Sequence, residues 1–165
     1  MNELIRLLAI LVFGNLGLVA FFVVVSALFP RRVGRTRAVA DAMPGRAFAV
    51  GLVNFTFFSA LTAAFTALGQ WTHFPLLGIP ALFFLALLGI SLCFGLAGVV
   101  QLVGERMAPA QNEVRRTVWG ALALGLGCSL PFAGWFGLLP YASLLGLGAF
   151  IISFFYRERS APPVE

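Results

Sequence analysis

The side chains of this 165-residue chain that could do chemistry are few. There is one histidine, His73, two cysteines, Cys93 and Cys128, and six carboxylates, at Glu3, Asp41, Glu105, Glu113, Glu158 and Glu165. One imidazole cannot supply both axial ligands of a b-type haem, and no second histidine or cysteine stands at metal-ligand spacing from it. His73 could still ligate a single chlorin or haem beside Trp71, but an interfacial histidine next to an aromatic anchor is the plainer reading. Gly-x-Ser-x-Gly, His-Glu-x-x-His, a phosphate loop and paired carboxylates are all missing. Glu105 with Arg106, and Glu113 with Arg115 and Arg116, read as local ion pairs in solvated loops, each contributing about 0 to 1 kcal/mol. The expectation is a protein that is not an enzyme and holds no metal or cofactor.

The elements that would position these groups are membrane spans. Hydrophobic residues make up 61% of the chain and charged residues 10%, with a mean hydropathy of +0.99. A helix needs roughly 20 apolar residues to cross about 30 Å of hydrocarbon, and stretches of that kind recur along the whole length. Runs such as Leu16 to Phe29 lack the alternation of a transmembrane β-strand. The fold class expected is an all-α, polytopic bundle forming a single integral membrane domain over residues 1–165.

The apolar segments place spans at 7–29, 47–69, 81–103, 115–133 and 140–156. Val25-Ser26-Ala27 resembles a signal-peptide cleavage site, but the preceding apolar run, about 23 residues, exceeds the roughly 7 to 15 of a signal h-region. The first span is therefore read as retained. The forty residues from Thr117 to Tyr156 carry no charge and must break within PFAGWFGLLP, where Pro131 and Pro140 remove backbone donors. The reading is five spans, with four plus a re-entrant hairpin as the alternative; such a hairpin needs its backbone shielded from lipid.

Orientation follows from arginine, since all eleven basic residues are arginines. Arg31, Arg32, Arg35, Arg37 and Arg46 lie in the 30–46 loop, Arg106 in the 104–114 loop, Arg115 and Arg116 where the next span begins, and Arg157 and Arg159 in the 157–165 tail; only Arg6 falls on the other side. The positive-inside rule then puts the N-terminus outside and the C-terminus in the cytoplasm, in a bacterial inner membrane. Thr36 to Met43 is a candidate interfacial helix. The loop arginines suit anionic lipid headgroups, at about 1 kcal/mol each near the surface. Net charge is +5, yet with so little chain outside the spans no nucleic-acid partner is expected.

Within the spans no ionisable group sits at mid-depth, the usual mark of a proton relay or ion path. The polar residues there are small. Thr56, Ser59, Ala60, Ala63, Thr66 and Ala67 form one face of span two, and Ser91, Gly95 and Gly98 one face of span three. Ala121, Gly125 and Cys128 do the same on span four, and Ala142, Gly146 and Ala149 on span five. Such faces let helices approach closely in lipid. Asn15 and Asn54 are the strongly polar side chains at depth. Eighteen phenylalanines exceed what one small interior can hold, so several should face lipid or a protein partner. A Pro-x-x-Gly-apolar turn at Pro75–Ile79 recurs at Pro131–Trp135, suggesting that the second and third spans repeat as the fourth and fifth.

LFPRRV, LLGIPALFFLALL, GLAGVVQLVGERM, SLPFAGWFGLL and LLGLGAF together resemble the multi-span membrane region of bacterial bactofilin-like, polymer-forming cytoskeletal proteins, from about Phe29 to Phe150. The β-rich polymerising domain is not in this sequence. What the resemblance implies is scaffolding or anchoring at the inner membrane, with no catalytic residue carried over. The function expected is a non-catalytic structural or accessory subunit of a larger membrane assembly. The alternatives are a small-solute transporter or channel lined by the Thr/Ser face of span two and, more remotely, pigment or haem binding at His73.

Overall fold

In the computed structural model, residues 2–72, 75–130 and 132–155 are described, and they are helical almost throughout. Six α-helices follow in order: α1 Asn2–Leu28, α2 Pro30–Ala42, α3 Pro44–Thr72, α4 Gly78–Met107, α5 Glu113–Cys128 and α6 Leu139–Phe155. A 3₁₀ turn, Pro75–Leu77, precedes α4, and a π-helical turn, Gly134–Leu138, precedes α6.

Proline sets three of the boundaries. Phe29 (φ −128°, ψ 52°) and Met43 (φ −141°, ψ 61°) leave the helical region, as does Ala108 (φ −140°, ψ 66°). Each stands immediately before a proline, whose ring clashes with a helical conformation at the preceding residue. Pro30 and Pro44 then open the next helices, where a missing N–H costs nothing.

Four segments are long and apolar enough to cross a membrane: Ala9–Leu28, Pro44–Thr72, Gly78–Met107 and Gly134–Phe155. The chain is thus read as a multi-span membrane protein. Helix α5, with 16 residues, is shorter. The 30–46 stretch is not an open loop: it forms the 13-residue α2, with Val33, Thr36, Val39 and Ala40 buried on one face.

Helix α4 is the axis of the bundle and touches every other helix, while α1 leans mainly on α5, and α3 on α6 and α4. Glycine sets the closest approaches. A Cβ built at Gly51 of α3 would fall on the carbonyl of Leu144, and one at Gly148 of α6 on that of Ala47. Gly104 and Gly120 bring α4 and α5 together in the same way, through the carbonyls of Arg116 and Val100. Without side chains in the seam, backbones pack at contact distance and dispersion is gained along the helix.

These pairings also set how far each helix extends. Gly95 of α4 lies against Gly146 of α6, Gly51 of α3 against Leu144, and Gly125 of α5 against Asn15 of α1. At 1.5 Å per residue, α4 continues about 8 Å and α3 about 16 Å beyond Gly134, where the last helical segment begins, and α1 continues about 15 Å beyond Cys128, where α5 ends. The two hairpins, α3–α4 and α5–α6, are therefore unequal in length. Burial does not follow hairpin length: 44% of the α6 segment and 39% of the α4 segment are buried, but only 6% of α3 and 11% of α1. Phe132, Trp135 and Phe136, at the turn of the short hairpin, are all exposed.

Candidate functional site

The charged side chains collect at the end of the bundle where α2 lies against α4 and α6 and where α5 begins. Glu105 of α4 takes two arginines from other helices: Arg37 Nη1 of α2 is 2.8 Å from its Oε2, and Arg116 Nη1 of α5 is 3.4 Å from its Oε1. All three are roughly a quarter to two-fifths exposed, so solvent screens them only in part. Arg116 also donates to the carbonyl of Pro109. A second pair, Arg106 Nη2 to Asp41 Oδ1 at 2.8 Å, ties the two ends of α2 and α4 together and is well exposed. Glu105 and Arg106, adjacent in sequence, thus take different partners, and both reach back to α2. Glu113 makes no ion pair among the described residues, while Arg115 donates to Gln111 Oε1 at 3.3 Å.

The arginines fall into two sets. Arg37, Arg106 and Arg116 hold helices together. Arg31, Arg32, Arg35, Arg46 and Arg115 make no ion pair among the described residues, and Arg46 meets only the Met43 sulfur at 3.5 Å. Arg32 places its guanidinium 4.7 Å from the centre of the Phe154 ring. Arg31, Arg32 and Arg35 line a recess of about 330 Å³ with Ser153 and Phe154 at the end of α6.

The small-residue faces have different surroundings. Gly95 meets Gly146, and Gly98 meets the Thr36 side chain of α2. Gly125 abuts the Asn15 carboxamide, Ser91 is buried with its hydroxyl donating to Leu87 O, and Ala121, Ala142 and Ala149 are buried. On α3, by contrast, Thr56 and Ala63 are exposed and Ser59 is half-buried. Thr56, Thr62 and Thr66 each donate to the carbonyl four residues earlier, at 2.8–2.9 Å. Thr62, Thr66 and Gln70 do line a shallow groove with Gly78 and Ala81 of α4. Asn54 donates to Val50 O at 2.9 Å and Asn15 to Leu11 O at 3.1 Å. Cys93 and Cys128 are free thiols. His73, Arg157 and Arg159 lie outside the described residues. Among the described residues, no three His, Cys, Asp or Glu side chains gather as metal ligands would.

Asp41, Ser153, Phe154 and the buried Gln101 were not singled out by sequence reasoning. Asp41 could have been found from the face of α2 opposite its buried valines, and Gln101 as a strongly polar residue within the expected span 81–103; Ser153 and Phe154 carry no sequence signal, because their importance comes from the arginines of α2 beside them. Comparison with protein-family models, curated proteins and solved structures gave no match.

Proposed function

We propose that this chain is a non-catalytic structural or accessory component of a bacterial inner-membrane assembly. The observation that carries this reading is the unequal length of the two hairpins. The far ends of α1 and of α3–α4 stand about 8 to 16 Å beyond the ends of α5 and of the last helical segment, and large apolar side chains there, such as Ile5, Trp71 and Ile79, are more than half exposed. Those stretches are apolar and belong in hydrocarbon. The shorter hairpin then turns inside the bilayer, with Phe132, Trp135 and Phe136 at its tip. Membrane helices that bury so little of themselves against their own chain suit packing against another protein.

On this reading α1, α3 and α4 cross fully. Helices α5 and α6 enter and leave on the arginine-bearing side, which the positive-inside rule assigns to the cytoplasm. Helix α6 qualifies as a span by length, but the chain reaches it through α5, whose stretch beyond Arg116 covers only about 18 Å. The turn keeps much of its backbone bonded internally, with Ser129 N–H to Gly125 O and Gly134 N–H to Leu130 O among its bonds, as the bilayer interior demands. Extraction in mild detergent, a native gel and mass spectrometry of the band test the proposal. A co-migrating membrane protein is expected; a monodisperse lone monomer overturns it.

A second reading, solute passage along the Thr face, rests on the groove between α3 and α4. The threonine hydroxyls there already donate within their own helix, leaving only their acceptor side for a solute. Uptake into proteoliposomes that is lost in Thr62→Val and Thr66→Val variants would favour it.

A further inference from the structure

We propose that Arg31, Arg32 and Arg35 of α2, with Ser153 and Phe154 of α6, form a binding site for the phosphate headgroup of an anionic phospholipid. Arg31 and Arg35 are one helical turn apart and Arg32 is three residues before Arg35, so the three guanidinium groups leave the same side of α2. None has a carboxylate partner among the described residues, whereas the arginines that serve the bundle, Arg37, Arg106 and Arg116, all do. Three charges within two turns of one helix, with no carboxylate partner among the described residues, suit an anion, and guanidinium matches a phosphate in shape as well as charge.

The site is held in place before any ligand arrives. The opposite face of α2 is sunk in the bundle through Val33, Thr36 and Val39, each fully buried, and its second half is pinned to α4 by the Arg37–Glu105 and Asp41–Arg106 pairs. Arg32 is further restrained by the Phe154 ring beneath it. The recess between these groups, about 330 Å³, opens to the surface.

A lipid, and not a soluble phosphate, is the occupant that the surroundings fit. Immediately beside the arginines the bundle exposes Leu28, Phe29, Phe154 and Phe155. A phosphodiester on the guanidinium groups would therefore lay its acyl chains on apolar rings that already face hydrocarbon. Ser153 spends its proton on Phe150 O, which leaves its oxygen as an acceptor for a headgroup hydroxyl.

The test is native mass spectrometry of the full-length protein in non-ionic detergent. It is titrated with phosphatidylglycerol, with phosphatidylcholine of the same acyl chains, and with glycerol phosphate alone. Wild type is expected to prefer phosphatidylglycerol by about a hundredfold, and each arginine replaced by glutamine should reduce that preference about fivefold, the change in affinity that one arginine near an anionic surface brings. The Arg31→Gln/Arg32→Gln/Arg35→Gln variant should bind both lipids alike, while Arg46→Gln/Arg115→Gln, which removes two charges elsewhere, should retain most of the preference. An unchanged preference in the triple variant, or an equal loss in the control pair, overturns the site. Glycerol phosphate binding as tightly as the lipid overturns its assignment to a lipid. If the triple variant does not fold, the single Arg35→Gln variant at its exposed position reads the same fivefold change.

Discussion

Gly95 of α4 and Gly146 of α6 meet backbone to backbone: a Cβ added to either would fall on the carbonyl group of the other. The seam holds the central helix to the last one with no side chain between them, and no rotamer change can make room in it.

Replacing Gly146 by valine should therefore force α4 and α6 apart, at a cost of at least about 2 kcal/mol, typical of overpacking against rigid backbone. Gly89, on the same helix as Gly95, has nothing within 4 Å of its Cβ position, so Gly89→Ala should leave stability near wild type. Thermal unfolding in detergent, followed by size-exclusion recovery, separates the two. Equal melting of Gly146→Val and wild type would contradict the packing.

Helix α2 is held by its buried face. Val39→Asp would bury a carboxylate with no partner where the valine is fully covered, and should release the helix at a cost of about 3 kcal/mol or more. Trypsin should then cut at Arg35 and Arg37 faster than in wild type. A helix lying free on the membrane surface would be cut at the same rate in both.

Glu105 is the shared counter-ion of Arg37 and Arg116. Because all three are partly exposed, Glu105→Gln should lower stability by only about 1 kcal/mol. The difference from wild type should shrink as salt is raised, since screening weakens the native pairs. A difference independent of salt would mean that hydrogen bonding or packing, and not charge, is what Glu105 supplies.

Trp135 reports the depth of the short hairpin. In variants retaining a single tryptophan, reconstituted with lipids brominated at different positions along the acyl chain, Trp135 should be quenched most by bromines placed deep. Trp71, at the end of α3 and 89% exposed, should be quenched most by those near the headgroup. Matching profiles for the two would return α5 and α6 to full spans.

Much of the fold is legible in the sequence. Hydropathy and the charge-free lengths identify the helical membrane class, because crossing a bilayer depends on the composition of one segment at a time. The prolines at 30, 44 and 109 fix three helix boundaries through the residue before each, a local signal that the spans at 47–69 and 81–103 passed over. The helical character of the 30–46 stretch was only half legible: Thr36 to Met43 suggested a short interfacial helix, while Val33, Thr36, Val39 and Ala40 at helical spacing put α2 into the bundle along its whole length. The small residues of α3 show the opposite limit. A Thr56, Ser59 and Ala63 face reads like the glycine faces of α4 and α6, yet it is Gly51 that makes the close contact, and Gly148 that answers it.

By itself, then, the sequence determined the class, the apolar segments and the asymmetry of arginine that any bilayer must respect, all of which are properties of single segments. Only the tertiary structure decided which helices meet, which arginines are neutralised from across a seam, and how far the α5–α6 hairpin reaches beside its longer neighbours. Those are relations between residues distant in the chain: Arg37 with Glu105, Gly51 with Leu144, Asn15 with Gly125. Their energy comes from contact and from charge at a few ångströms, and no composition or periodicity within one segment encodes its partner.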